Sequence, residues 1–299
     1  MLLDCVVIGG GPAGANASLV LGRAKKEIIL FDEDRPRNAV THESHGFITR
    51  DGIKPSEFKR IAMEDLKKYP NISIRNERVS DVKRENNSFF IHTEDGNSYQ
   101  SKKIILSTGL IDIMPRIEGI HNFYGTSLFS CPFCDGWELK DLPLVVISEN
   151  QRAFHMTKML SNWSKDLVVC TNGNQVFSAE QKELLAKKNI KVMEQEIIQL
   201  LGNEGQLKKI LFKNGEEILR EGGLVTTGLK QASSIAESLG CHMNENGGIQ
   251  TDTLGRTNIE GVYAAGDTSK PTPSQLIIAA SEGTKAAMGV ISDLIDEDF

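Results

Sequence analysis

An apolar run, LLDCVVI, meets the spaced glycines Gly9, Gly11 and Gly14 of GGGPAG and then the small residues of ANASLVLGRA. The run reads as a buried parallel strand. The glycines give a tight turn and a close backbone approach to a pyrophosphate, and small residues let the following helix pack onto the sheet. A second strand, EIILFDED, reaches Asp32, 18 residues after Gly14. That is close to the ~20 expected for the acid that hydrogen-bonds an adenosine ribose. Each element alone is a weak signal; in register they specify a βαβ dinucleotide unit.

A second strand-loop-helix begins near Leu144, with strand LVVI, helix RAFHMTKMLSNW and strand DLVVC. At 299 residues the chain has room for roughly two domains, each with its own core. Laid on the first unit, Gly9 to Gly14 correspond to Ser148, Glu149, Asn150, Gln151, Arg152 and Ala153, so the second loop has no glycine. Side chains there obstruct the approach of a pyrophosphate. Glu149 adds a charge that, ~4 Å from a phosphate at an effective dielectric of ~20, repels by about 4 kcal/mol. The position matching Asp32 is Thr171, and the following TNGNQ lacks the basic residues that would hold a 2′-phosphate. The usual contacts of both NADH and NADPH are missing, unless another loop binds the cofactor.

Composition narrows the rest. A net charge of -6 and a pI near 5.6, without a Lys/Arg-dominated run, argue against a nucleic-acid protein. No run approaches the ~20 apolar residues of a membrane span, and MLLDCVVIGGG has no charged n-region or cleavage site, so a cytoplasmic protein is expected. Five cysteines without a secretory signal point to thiols in a reducing compartment, and only Cys131 and Cys134 are spaced as a pair. Cys5 and Cys170 lie in apolar strands and read as small buried hydrophobes.

Between the two units, PSEFKRIAMEDLKKYP reads as a helix with Ser56 near its start. The short strands in ISIRNERVSDVK, SFFIHTEDG and KKIILSTG read as an inserted meander. Pro115 and Gly119 mark one domain crossing and CHMNENGGIQ a second. Residues 1–114 and 246–299 are thus expected to form one discontinuous domain, with 115–245 as a central one. In SAEQ, Ser178 and Gln181 form a capping box. Near the C-terminus, GVYAAGD sets a strand ahead of Gly266 and Asp267, and amides from Pro273 to Leu276 could face a phosphate or flavin.

The spacing in CPFCDGWE lets one thiolate attack a disulfide while its neighbour resolves the mixed intermediate. A helix starting at or just before the second cysteine would lower a thiol pKa. The alternative is half of a zinc site. It lacks a second CxxC or a spaced histidine pair, and adjacent Cys241 and His242 cannot supply one, so no metal is expected.

GGGPAG, LSTG at 106–109, the central CxxC and GVYAAGD followed by a helix containing Gln275 resemble the low-molecular-weight thioredoxin reductase family over essentially the whole chain. The resemblance implies an α/β, two-domain flavoprotein disulfide reductase architecture of two Rossmann-like domains, the second inserted in the first. It implies FAD held by Gly9, Gly11, Pro12, Ala13, Gly14, Asp32, Asn38, His45, Thr108, Gly109, Gly266, Asp267, Gln275 and Leu276. Cys134 would face the flavin, Cys131 would exchange with substrate, and Asp135 would move a proton on and off the thiols. A homodimer and a thioredoxin-like protein partner are also implied.

RPRNAVTHESHGFITRDGIKP, CPFCDGWEL and WSKDLVVCTNG are further similar to a branch that includes the dithiol oxidases of gliotoxin and holomycin pathways. There a His commonly follows the second cysteine; here Asp135 does, as in thioredoxin reductases proper. His42 and His45 could tune the flavin, relay a proton or simply pack. Three functions follow. The first is an FAD-dependent thiol-disulfide oxidoreductase acting on a protein or a small-molecule dithiol, with oxygen, ferredoxin or another flavoprotein as electron partner. The second is a conventional NADPH-dependent thioredoxin reductase, and the third a non-catalytic flavin redox sensor, which has less need of Asp135.

Overall fold

The computed structural model describes residues 2–299. Strand β1 (Leu2–Ile8) runs through the glycine turn into helix α1 (Pro12–Arg23), whose Pro12 sits where a helix needs no amide donor. Strand β2 (Ile28–Phe31), helix α2 (Pro55–Leu66) and strand β3 (Ile72–Arg75) follow. Strands β4 (Val79–Glu85), β5 (Ser88–Thr93) and β6 (Ser98–Leu106) form an antiparallel meander.

The expectation that all these short strands belong to one meander is corrected at β3. It pairs parallel to β2, giving the order β3-β2-β1-β6-β5-β4. Strand β6 is long enough to serve two neighbours on one edge: Ser98 to Ser101 pair with β5, and Ile104 to Leu106 pair with the late strand from Val262 to Ala264.

Strand β7 (Leu110–Ile113) carries the chain into the second compact unit, residues 40–45 and 112–228. Here β8 (Leu128–Phe129) precedes the one-turn helix α3 (Pro132–Asp135). Then β9 (Leu144–Ile147), α4 (Arg152–Leu160), β10 (Leu167–Cys170), α5 (Ala179–Lys187) and β11 (Lys191–Met193) repeat the first unit's winding. Strands β12 (Ile197–Asn203), β13 (Gln206–Phe212) and β14 (Glu217–Leu219) form an antiparallel sheet, and β15 (Gly222–Val225) returns to the parallel one. The parallel order is β11-β10-β9-β15-β8. Side chains alternate along β9: Leu144 and Val146 pack with Ala153 and Leu160 of α4, while Val145 and Ile147 pack with Leu200 and Phe212 of the antiparallel sheet.

The chain leaves this unit at β16 (Gly228–Gln231), passes helix α6 (Ile235–Ser238) and strand β17 (Val262–Ala264), and ends in α7 (Leu276–Asp298). The second crossing therefore lies at 228/229, not near 245. Residues 229–245 belong to the first unit, because Ile235, Ala236 and Cys241 are buried against Val6, Phe31 and Ile104. On the sheet's other face, Cys5, Val7 and Ile105 pack against α1, α2 and α7.

Candidate active site

The first unit's glycines divide the work. A Cβ on Gly9, which holds φ at +106°, would overlap the Ser107 carbonyl, and one on Gly14 would overlap the Gly9 carbonyl. These two glycines let chain approach chain. A Cβ on Gly11 would meet nothing within 4 Å. Gly11 thus leaves open space in front of α1, whose first amides have no partner within the helix.

Asp32, just past β2, accepts from the Gly10 amide at 3.4 Å and is ion-paired with Lys59. Burial works to lower the Lys59 pKa, but Asp32 and Asp34 outweigh it and hold the ammonium above its ordinary range. A cavity of about 370 Å³ adjoins Asp32, lined among others by Ser56, Met63 and Arg75.

The C-terminal segment returns to the same place. Gly266 lies in a turn after β17, where a Cβ would sit 2.8 Å from the Ala13 side chain. Asp267 accepts from the Ser274 hydroxyl and lies 3.4 Å from the Arg37 guanidinium, which donates to Ser274 at 3.0 Å. Asn38 follows Arg37 in one 3₁₀ turn. The Thr108 hydroxyl lies 3.3 Å from that of Thr268, which donates to Gln231 at 2.6 Å; Gly109 accepts from the Ala232 amide at 3.1 Å. Gln275 holds the N-cap position of α7 without a side-chain capping bond, Leu276 opens the helix, and Gly283 lets α7 press onto the Ala13 carbonyl.

An open helix N-terminus with an acid at the end of the next strand fits an ADP-containing cofactor such as FAD. Sequence reasoning missed Arg37, Lys59, Gln231 and Ser274, which orient Asp32, Asp267 and Thr268 from afar. No local motif signals them.

In the second unit Cys131 and Cys134 form a disulfide with Cα atoms 5.4 Å apart. The helix begins two residues before the second cysteine: Cys131 is the N-cap, Pro132 the first residue, and Cys131's carbonyl accepts from the Cys134 and Asp135 amides, each at 3.3 Å. Gly136 is required because a Cβ would overlap the Pro132 carbonyl. Phe133 and Trp137 are exposed beside the pair, with the Lys140 ammonium 3.5 Å from the Trp137 ring centroid.

Asp135 is buried. Burial first, and the neighbouring Glu138 carboxylate second, push its pKa up to about 7, against an opposing pull from His45. His45 thus acts on the Asp135 carboxyl, and its Nε2 lies 3.6 Å from Glu138 and 3.8 Å from Glu43. His42 is exposed. Cys5 and Cys170 are fully buried and burial pushes their thiols up, Cys170 to about 12, so neither offers a thiolate. Among the described residues no cluster of three or more potential metal ligands occurs, and no helix is long and apolar enough to cross a membrane.

The second loop's side chains bond locally. Asn150 Oδ1 accepts from the Arg152 amide at 3.0 Å, taking the donor at the start of α4. Ser148 accepts from Thr226 at 2.7 Å, and Asn172 donates to Glu149 at 2.6 Å. Thr171, in place of a ribose acid, donates to the Asn174 carbonyl at 2.5 Å. Glu149 is exposed, so its repulsion of a phosphate is nearer ~1 kcal/mol than the 4 kcal/mol of a half-buried charge.

A family model described as pyridine nucleotide-disulphide oxidoreductase matches residues 3–283. TrxB from Bacillus anthracis superposes with a TM-score of 0.96 at 48% identity, covering 99% of this chain and 100% of that one. HlmI superposes with a TM-score of 0.94 at 29% identity, covering 99% and 94%. Thioredoxin reductase sirT of Leptosphaeria maculans is 28% identical, covering 100% of this chain and 96% of its own.

Proposed function

Because the chain belongs to the pyridine nucleotide-disulphide oxidoreductase family, as a thioredoxin reductase-like, FAD-dependent enzyme, we propose that it exchanges electrons with a dithiol or disulfide substrate through Cys131 and Cys134. Its other electron partner is not NAD(P)H bound in the usual loop. The observation that carries this reading is the contrast between two loops of one chain. Gly11 leaves the first open, whereas the second carries the side chains of Ser148, Glu149 and Asn150, and Asn150 takes up the Arg152 amide at the start of α4.

FAD, when bound, supplies a two-electron acceptor or donor. The chain's own residues do the rest. Gly11 would admit the pyrophosphate to the α1 N-terminus and Asp32 would take the ribose, with Asp267 and the first turn of α7 contributing from the C-terminal segment. Cys131, the N-cap, exchanges with the substrate sulfur, and Asp135 gives or receives the proton; a carboxyl titrating near neutrality suits both directions. The substrate is a small-molecule dithiol or a thioredoxin-like protein, and oxygen, ferredoxin or another flavoprotein closes the electron circuit. A cytoplasmic homodimer accords with this reading.

A conventional NADPH-dependent reductase is the second reading, favoured by relatives named thioredoxin reductase such as sirT. Anaerobic stopped-flow mixing of the oxidised holoenzyme separates them. Dithiothreitol should bleach the flavin while micromolar NADPH should not; rapid, saturable bleaching by NADPH would restore the conventional reductase.

A further inference from the structure

Oxidation of a dithiol releases two protons at a site with one buried acid. When a substrate thiolate bonds to Cys131 Sγ, the Cys131–Cys134 bond breaks and its electron pair stays on Cys134 Sγ. The proton shed by the substrate thiol passes to Asp135. The second substrate thiolate then attacks the sulfur held on Cys131, closing the substrate disulfide and releasing Cys131 as a thiolate. Two electrons have entered the dithiol and two protons have left the substrate. Asp135 can accept the second only after handing on the first.

We infer that His45 and Glu138 are positioning residues that unload Asp135, joining its buried carboxyl to solvent and setting its charge. This rests on the reading of Cys131 and Cys134 as the exchanging pair. The groups grade in exposure from Asp135 outward. Asp135 is 9% exposed, the His45 side chain 18%, the Glu138 side chain 41% and the Glu43 side chain 55%. Glu138 lies three residues beyond Asp135, and its Oε1 is 3.6 Å from His45 Nε2, itself 3.8 Å from Glu43 Oε2.

Helix α4, which packs on α3, carries His155 and Lys158, and the turn beyond α3 carries Lys140. None of these bears on Asp135, whose field comes from Glu138 and His45 with opposite signs. An imidazole between two carboxylates has one nitrogen to accept a proton and one to donate it.

The test is the pH profile of anaerobic flavin bleaching by dithiothreitol, in holoenzyme of the wild type and of Glu138→Gln, His45→Gln and Glu138→Asp. Glu138→Gln removes a like charge and should move the limb near pH 7 downward; His45→Gln removes the opposing group and should move it upward. Each shift should be roughly half a pH unit, as for one charge a few ångströms away in a wet site. Glu138→Asp keeps the charge and should keep the wild-type limb. Unmoved limbs, or limbs that move in the same direction, would overturn the inference. A wild type that dithiothreitol cannot bleach at all would overturn the functional reading, and the inference with it.

Discussion

Asn172 ties Glu149 into the wall of the second loop: it donates to Glu149 Oε1 at 2.6 Å while accepting from the Ile197 amide at 2.8 Å. Asn172→Ala strips the acceptor from a partly buried backbone donor. It should destabilise the protein by about 1–2 kcal/mol in urea unfolding. Bleaching by dithiothreitol should be unchanged, and NADPH should remain ineffective because the Ser148 and Asn150 bonds persist.

Gly11 and Gly14 separate the binding of FAD from the folding of its cradle. Gly11→Ala adds a methyl that touches no protein atom, whereas Gly14→Ala drives one into the Gly9 carbonyl. The first variant should keep the melting temperature of the apoprotein yet bind FAD roughly tenfold or more weakly, about 1.4 kcal/mol. The second should lose both. Flavin titration of the apoproteins beside their thermal melts checks the pair.

Asp135 makes stability depend on pH. Its folded pKa of about 7 lies above the ordinary 3.8, so between these values the folded chain binds a proton that the unfolded chain has lost. Stability therefore falls as pH rises through this window, by up to about 4 kcal/mol. Asp135→Asn abolishes that dependence. Its stability relative to the wild type should climb from pH 4 to pH 8 in denaturant titrations; a difference that is flat with pH would refute the assignment.

Ser178 accepts from the Gln181 amide at 3.1 Å, while Gln181 Oε1 accepts from the Ser178 amide at 3.0 Å. Ser178→Ala should cost about 1 kcal/mol in urea unfolding. Bleaching by dithiothreitol should be unaffected.

What could be read in advance was what chain geometry makes local. The capping box is written within four residues, and the glycine loop is legible because turn, helix and strand lie within a few dozen. The second crossing was misplaced because CHMNENGGIQ has linker composition, yet Cys241 at its head is buried in the first unit's core. Strand β3 looked like part of the meander because short strands do not declare their partners; only its pairing with β2 shows it to be parallel. Pro132 at a helix's first position fixes the start of α3 two residues before Cys134, within the range the CxxC spacing allowed. The approach of His45 to Glu138, 93 residues away in sequence, leaves no local mark.

Residues 40–45 group with 112–228, so the central unit is not one continuous stretch of chain. A Cβ on Gly125 would overlap the Val40 carbonyl, a measure of how closely the short segment is seated. Chimeras that transplant 112–228 alone between homologues would import Glu138 but leave His45 with the host. The smallest cassette that travels intact has two parts, and exchanging one without the other would create mismatched acids at the dithiol without altering either cysteine.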